Sequence, residues 1–451
     1  MLSDSNFITF LNKEGKQFVF SGKTGLVLEY EDSILEYLQK DDLKDEQYEE
    51  YLTKELVDFN DLKKSLERTD EKPYLTAVTY FITNQCNLNC SYCYEKVSNV
   101  DDSLRMDFNT LKDSIKFIEQ NFKLKNSMHI NFFGGEPLLN FELMKESVTL
   151  LDEFGKRNNI FISYGITTNG TIINDEIVEF LANNNIGILV SIDGTKEIHD
   201  SNRVYHSGKG SYDVIVENVS KLSPYVKLCA RVTIENYDTD LVNLYNHLTD
   251  IGFSEVAFSY VSKIDSHITQ SDYDAVKTTL SSLAEYFLNQ VKEKHLPSIK
   301  IFIDTLINLH SGSRSDMRLF PCGAAKNYFA IDPKGDIYVC HRFGNMDNFK
   351  WGNIYEGFDE KKQLDFLRDH VLCERGNGEC RECWAKYFCG GACYHSSYDS
   401  YDDSTKNTKF HCFYMKEVLK NSLYIYTSLS TDEKKIFDNI EPRQNIYEPI
   451  V

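Results

Sequence analysis

The tightest cluster of reactive side chains lies near residue 90. Cys86-Asn-Leu-Asn-Cys90-Ser-Tyr-Cys93 is a C-x3-C-x2-C run, followed by Tyr94. Three thiolates this close can hold three irons of a [4Fe–4S] cube and leave the fourth iron open to a small ligand. The alternative is a zinc knuckle, or three reduced structural cysteines. Zinc sites usually use two C-x2-4-C pairs, and no fourth Cys or His stands near this run.

Ala77-Val-Thr-Tyr-Phe-Ile-Thr83 is β-branched and aromatic and reads as a strand, so the cysteines occupy the loop that follows it. A strand leading into such a loop resembles the opening of the radical S-adenosylmethionine (SAM) enzymes. The resemblance implies that SAM chelates the open iron and is cleaved by the reduced cluster to a 5′-deoxyadenosyl radical. About forty residues on comes Gly134-Gly135-Glu136-Pro137. In the family this motif meets the SAM ammonium through backbone carbonyls, with Glu136 in support. Ser191-Ile-Asp193-Gly194, then Glu197-Ile-His199-Asp200 and Arg203, resembles a segment of the anaerobic sulfatase-maturing enzymes. That likeness implies Ser191 at the SAM ribose, Arg203 at its carboxylate and Tyr92 against adenine. Taken alone, Ser191 and Arg203 read as a turn cap and a surface ion pair. His199 reads as structural, since a lone His at a helix start more often caps or packs.

A second cluster fills residues 318–412. Tyr328-Phe-Ala-Ile-Asp-Pro-Lys-Gly335-Asp-Ile-Tyr-Val-Cys340 predicts a hairpin turning at Pro-Lys-Gly. Around it stand Cys322, then Cys380-x2-Cys383-x5-Cys389-x3-Cys393, and Cys412. A zinc ribbon needs four of these thiols. All seven positions match the SPASM pattern, which implies two auxiliary Fe–S clusters. In that family the last cysteine of C-x2-C-x5-C-x3-C crosses over. Auxiliary II then takes Cys380, Cys383, Cys389 and Cys412, and auxiliary I takes Cys322, Cys340 and Cys393. Either Cys373 completes auxiliary I, or one iron stays open, as in some thioether-forming members. Sulfatase-maturing enzymes carry a basic Asp directly after the cysteine equivalent to Cys340. Here His341 stands there, as in maturases of six-cysteine peptides; it either accepts a proton or packs.

The elements that must hold these residues alternate. After the first strand come strands at Met128–Phe133, Ile160–Ile166, Gly187–Ile192, Val226–Ile234 and Val256–Val261, with amphipathic helical stretches at 107–121, 174–185 and 212–222. This predicts an α/β fold with a parallel sheet, a partial (β/α)6 radical SAM barrel with its site at the strand C-termini. Residues 267–310 read as helical, and Ser311-Gly-Ser-Arg-Ser as a linker. Ahead of the barrel, Phe7–Leu11, Gln17–Phe20 and Gly25–Tyr30 read as short strands, and an acidic helical stretch runs from Ser33 to about residue 67. This suits a winged-helix-like module, which in peptide-modifying radical SAM enzymes grips a leader peptide by strand addition. A structural cap is the alternative. The expected units are 1–75 (leader module), 76–312 (barrel), 313–430 (SPASM domain) and 431–451 (tail).

The chain has 451 residues, net charge −20 and 12 cysteines. The acidic surface disfavours nucleic acid and anionic membrane as partners. No apolar run nears the ~20 residues of a membrane span, and the first residues lack a signal-peptide pattern, so the expectation is cytoplasmic. Cysteines there serve metals or redox chemistry. Cys229, within a predicted strand, reads as a buried small hydrophobe.

The resemblance implies three [4Fe–4S] clusters, SAM, and a flavodoxin- or ferredoxin-type reductant. The expected activity is thioether formation in a Cys-containing precursor peptide with a leader, as in ranthipeptide and sactipeptide maturases. Oxidation of Ser or Cys to formylglycine is the runner-up, and a non-catalytic Fe–S protein the alternative outside enzymes.

Overall fold

A continuous run of apolar and β-branched residues along the first barrel strand fixes the centre of the fold. The computed structural model describes residues 7–29, 58–66, 72–95, 101, 103–261, 265–311, 318–438 and 440. Strand β4 (Tyr74–Thr83) is buried on both faces for most of its length, as a central parallel strand must be. Beside it run β5 (Lys123–Gly134), β6 (Phe161–Thr168), β7 (Gly187–Ser191), β8 (Leu228–Ile234) and β9 (Glu255–Tyr260). Neighbours pair in chain order and all in parallel. The six expected strands are therefore all present. Cys229 lies buried in β8.

Crossover helices cover the sheet: α2 (Phe108–Asn121), α3 (Phe141–Asn158), α4 (Asp175–Asn183), α5 (Lys196–Asn202), α6 (Tyr212–Leu222) and α7 (Leu241–Ile251). Local signals set their ends. The side chains of Asp107, Asn174 and Asp240 accept from first-turn backbone N–H groups of α2, α4 and α7. Helices α8 (Gln270–Lys292) and α9 (Lys300–Ser311) follow β9. The expected linker after Ser311 lies largely outside the described residues.

The sheet does not stop at β4. Strand β10 (Tyr328–Ile331) pairs in parallel with its other edge, and β11 (Asp336–Tyr338), β12 (Lys350–Asn353) and β13 (Gly357–Phe358) extend it antiparallel. The result is one ten-stranded sheet. The hairpin read from the sequence is β10–β11. Its turn closes on Asp332 Oδ1, which accepts from Lys334 N and Asp336 N at 2.8 Å each, with Gly335 at φ +82°. The hairpin thus also covers the open edge of the barrel sheet, which local pattern does not reveal.

The cysteine-rich region continues through α10 (Glu360–His370), α11 (Lys386–Cys389), α12 (Tyr394–Tyr401) and α13 (Lys409–Thr427). Residues beyond 430 begin with a short helix (Thr431–Lys434), and Phe437 is buried. At the front, β1 (Phe7–Leu11), β2 (Gln17–Ser21) and β3 (Val27–Glu29) form a separate antiparallel sheet. Of the expected helical stretch from Ser33 to residue 67, only α1 (Phe59–Ser65) is an element among the described residues, and the rest lies largely outside them. Phe20 of β2 is fully buried, edge-on to Trp384 (6.1 Å) and Phe388 (5.9 Å). The front sheet therefore docks on the cysteine-rich region. Among the described residues no helix is long and apolar enough to cross a membrane.

Candidate active site

The loop carrying Cys86, Cys90 and Cys93 leaves the C-terminal end of β4 and is fixed on three sides. On one side, Gly135 N donates to Thr83 O (3.0 Å) and Glu136 N to Gln85 O (2.7 Å). This approach needs the glycines. A Cβ on Gly134 would meet Thr83 O at 2.0 Å, and one on Gly135 would meet Gln85 O at 2.3 Å. On the second side, Asn169 Nδ2 donates to Asn87 Oδ1 (2.8 Å) and lies 3.9 Å from Cys86 Sγ. On the third, Asn89 N donates to Val204 O (2.6 Å) and Ser91 N to Asn202 O (3.0 Å).

Glu136 is fully buried and accepts three bonds: Leu138 N (3.0 Å), Thr168 Oγ1 (2.8 Å) and Asn169 N (2.7 Å). It ties the end of β5 to the end of β6. Burial outweighs these donors and pushes its carboxyl up to about 7. Cys86 is pushed up to about 12, by burial first, with Glu136, Cys90 and Cys93 among the charges acting on it. In the metal-free protein its proton stays on; metal binding must release it.

Opposite the loop, Arg203 forms a buried two-point pair with Asp193, Nε to Oδ2 at 2.8 Å and Nη2 to Oδ1 at 3.2 Å. The Tyr92 hydroxyl donates to the same carboxylate, and the guanidinium lies 5.2 Å from the Tyr92 ring centre. Thr233 N adds a bond to Asp193 Oδ1 at 3.0 Å. Burial opposes the charge on Arg203, and the Asp193 carboxylate leads the groups that restore it. His199 is fully buried behind this group. Its Nδ1 accepts from Asp193 N (3.3 Å), and its Nε2 donates to Ser211 Oγ (2.9 Å). The ion pair is thus buried rather than at the surface. Ser191 ends β7 and is half-buried. Asp193, Asn169 and Asn87 carry no assignment from the sequence; Asp193 stood inside a recognised motif, but two of its partners, Tyr92 and Thr233, come from distant segments.

The C-terminal cysteines separate in space into two groups. The charges felt by Cys340 include Cys322 and Cys393, and Cys322 also feels Cys393. Those felt by Cys389 include Cys412, Cys380 and Cys383. Burial is the main cause raising the thiols of Cys322, Cys340, Cys380, Cys389 and Cys412. Cys373 is buried, with Sγ 3.9 Å from Glu374 Oε1. Among the described residues no three Cys, His, Asp or Glu side chains converge as the ligands of a single ion. Cys412 lies in the first turn of α13, whose leading N–H groups donate to Asp265, Lys409 N at 2.5 Å and Phe410 N at 3.3 Å. His341 has Nδ1 2.7 Å from the Tyr328 hydroxyl and its ring 4.9 Å from that of Phe133. Burial brings it down to about 3, so it is neutral.

A parallel barrel sheet with three thiols on the loop after its first strand defines a class, and comparison supplies its name. The radical SAM superfamily profile matches residues 80–240. The chain thus carries a radical SAM domain, and the cofactors shared by that superfamily are SAM and a [4Fe–4S] cluster. The donor set fits such a cluster: three thiols within eight residues, on a loop clamped by backbone bonds. An uncharacterised protein of Methanocaldococcus jannaschii is 43% identical over 264 residues, 57% of this chain and 82% of that one. A cysteine-type anaerobic sulfatase-maturating enzyme of Clostridium novyi is 26% identical, over 75% of this chain and 94% of its own. The radical SAM cyclopropyl synthase TigE of Paramaledivibacter caminithermalis is 22% identical, over 86% and 89%. Among solved structures, anSMEcpe with bound AdoMet superposes at TM-score 0.66 and 21% identity, over 81% of this chain and 98% of that one. Streptococcus suis SuiB bound to precursor peptide SuiA does so at 0.53 and 16%, over 90% and 98%. At these identities the likeness is one of fold.

Proposed function

We propose that this protein is a peptide maturase that forms thioether bonds, from Cys sulfur to carbon, in a ribosomally made precursor. The observation that carries the reading is the grouping of the C-terminal thiols. Four stand together, Cys380, Cys383, Cys389 and Cys412, and three stand apart, Cys322, Cys340 and Cys393. Three [4Fe–4S] clusters account for the loop and both groups. The group of three is one thiolate short, a place for a substrate cysteine unless Cys373 fills it. SuiB, with its bound precursor peptide, supports a peptide substrate by fold alone.

The loop cluster, when bound with SAM, supplies a 5′-deoxyadenosyl radical. The protein's residues position and exclude water. Gly134 and Gly135 bring the strand end against the loop, and Glu136 holds that strand end to β6. Arg203 and Ser191 hold SAM, with Tyr92 against it. Hydrogen leaves a substrate carbon to the radical, the cysteine sulfur bonds to that carbon, and one electron and the thiol proton depart. One electron enters per SAM cleaved and one leaves, so the reaction balances. A flavodoxin- or ferredoxin-type carrier starts it, in the cytoplasm. Among the described residues β1 and β3 are the edge strands of the front sheet, where a leader peptide would add as a further strand.

The sulfatase-maturing reading is the second, favoured by the length over which those relatives match. One experiment separates them. Reduced, reconstituted protein is incubated with SAM and a Cys-containing precursor, and the product is weighed and alkylated. Thioether formation removes two hydrogens, keeps all sulfur and shields one thiol from alkylation. Formylglycine formation from Cys loses sulfur. Loss of two hydrogens with every thiol still reactive means a carbon–carbon bond. Absence of 5′-deoxyadenosine leaves a non-catalytic Fe–S protein.

A further inference from the structure

We infer that Arg342 and Arg375 are built-in countercharges to the C-terminal thiolates, and that they raise the reduction potentials of the centres those thiolates hold. The inference rests on the cluster reading above.

Arg375 is 0% exposed, and its bonding partners are all neutral. One Nη donates to Ser404 O; the other donates to Ala392 O (2.8 Å) and reaches Ser397 Oγ and Asn407 Oδ1 at 3.4 Å. Among the described residues its Nε has no hydrogen-bond partner. That Nε lies 3.1 Å from where a Cβ on Gly391 would stand, between Cys389 and Cys393. The guanidinium also lies 5.2 Å from the Tyr394 ring centre, next to Cys393. Asn407, which accepts from Arg375, donates through Nδ2 to Cys380 Sγ at 3.1 Å. Arg375 thus lies against residues that adjoin both thiol groups, Gly391 and Tyr394 beside Cys389 and Cys393, and Asn407 beside Cys380.

Arg342 is placed differently. Its Nη1 lies 3.7 Å from Cys393 Sγ and 3.3 Å from Ser396 Oγ. Its guanidinium lies 5.5 Å from the ring centre of Tyr94, the residue after Cys93. It therefore spans from the first cysteine loop to the group of three. Among the described residues neither arginine forms an ion pair with a carboxylate.

A buried cation without an anion costs several kcal/mol. Metal binding creates thiolates beside both arginines; those near Arg375 are Cys380, Cys389 and Cys393, and those near Arg342 are Cys393 and Cys340, with the Asp399 carboxylate as a further neighbouring anion. Reducing a cluster adds one negative charge to it. A fixed positive charge nearby favours that state and raises the potential. With Arg342 3.7 Å from Cys393 Sγ and Arg375 over the ring of the following Tyr394, a centre held by the group of three would be the favoured acceptor of the electron released when the C–S bond closes. Arg342 faces one thiol group, whereas Arg375 faces two, so removing them has different signatures.

The test is an EPR-monitored redox titration of reconstituted full-length protein. It is run also with Cys86, Cys90 and Cys93 replaced by Ala, which leaves only the auxiliary signals. Arg342→Gln is expected to lower one auxiliary potential, and Arg375→Gln both, each by a tenfold change in the one-electron equilibrium, about 59 mV. Arg342→Lys and Arg375→Lys keep the charge and stay near wild type. If Arg375→Gln loses iron, the Arg342→Gln and Arg342→Lys pair decides. Full iron with unmoved potentials in Arg342→Gln overturns the inference alone. About four irons in the wild type overturns the cluster reading, and the inference with it.

Discussion

Arg203 meets Asp193 at two points inside the protein, where water cannot take over for either partner. Removing one member of such a pair leaves the other charge buried and bare, which costs about 3–5 kcal/mol. Arg203→Ala is therefore expected to lower stability by roughly that amount in chemical denaturation. It should also weaken SAM binding, because Tyr92 bonds to the same carboxylate. An unchanged denaturation midpoint would refute the role given to the pair. Glycines 134 and 135 were legible as part of a motif, and the structure shows them as sites of close approach. That the approaching group is the backbone of Thr83 and Gln85 was not legible, since it depends on how two strands end side by side.

Helix α5 shows how an element carries a pH dependence. His199 Nδ1 must be bare to accept from Asp193 N, and burial brings the ring from 6.5 down to about 4. Between those values the unfolded chain binds a proton that the folded protein excludes. Stability from this residue is thus full above pH 6.5 and falls as acid is added, by about 3 kcal/mol at pH 4. Other histidines, such as half-buried His129 and buried His370, shift the same way, so the whole protein has a steeper slope. His199→Gln can keep both bonds without titrating. Its melting temperature should depend less on pH than that of the wild type; parallel curves would argue against this account. The six barrel strands were legible because each carries a run of β-branched and apolar residues between helical patterns. Helix α3 was not singled out, although its apolar face is as periodic. The parallel pairing of β10 with β4 left no local trace, because register between distant segments is set by three-dimensional packing.

At the scale of the whole molecule, the front sheet and the cysteine-rich region share a small apolar cluster of Phe20, Trp384, Ala385, Leu419 and Leu423. Asn12 Nδ2 adds a bond to Thr427 O at 3.1 Å. Deleting residues 1–75 would bare Trp384 and its neighbours, so loss of solubility would confuse the result. Phe20→Ala is the cleaner change. It should cost about 3–5 kcal/mol and make residues 7–29 the first part to exchange deuterium, while the barrel stays protected. Uniform protection would mean that the sheet is held by other contacts. The broad plan was readable from cysteine spacing, since thiol ligands must recur at fixed intervals. The docking of front on back was not, because Phe20 and Trp384 carry no signal of each other. The ten-stranded sheet also bears on how the protein is made. Tyr328 bonds to Thr79 across 249 positions. At ribosomal speeds of about 5–20 residues per second, β10 emerges tens of seconds at most after β4. During that interval the nascent barrel presents an unpaired apolar edge, and the loop cysteines already stand beside it. The longer that interval, the longer the edge stands exposed to mispairing, and the ribosome's pace sets its length.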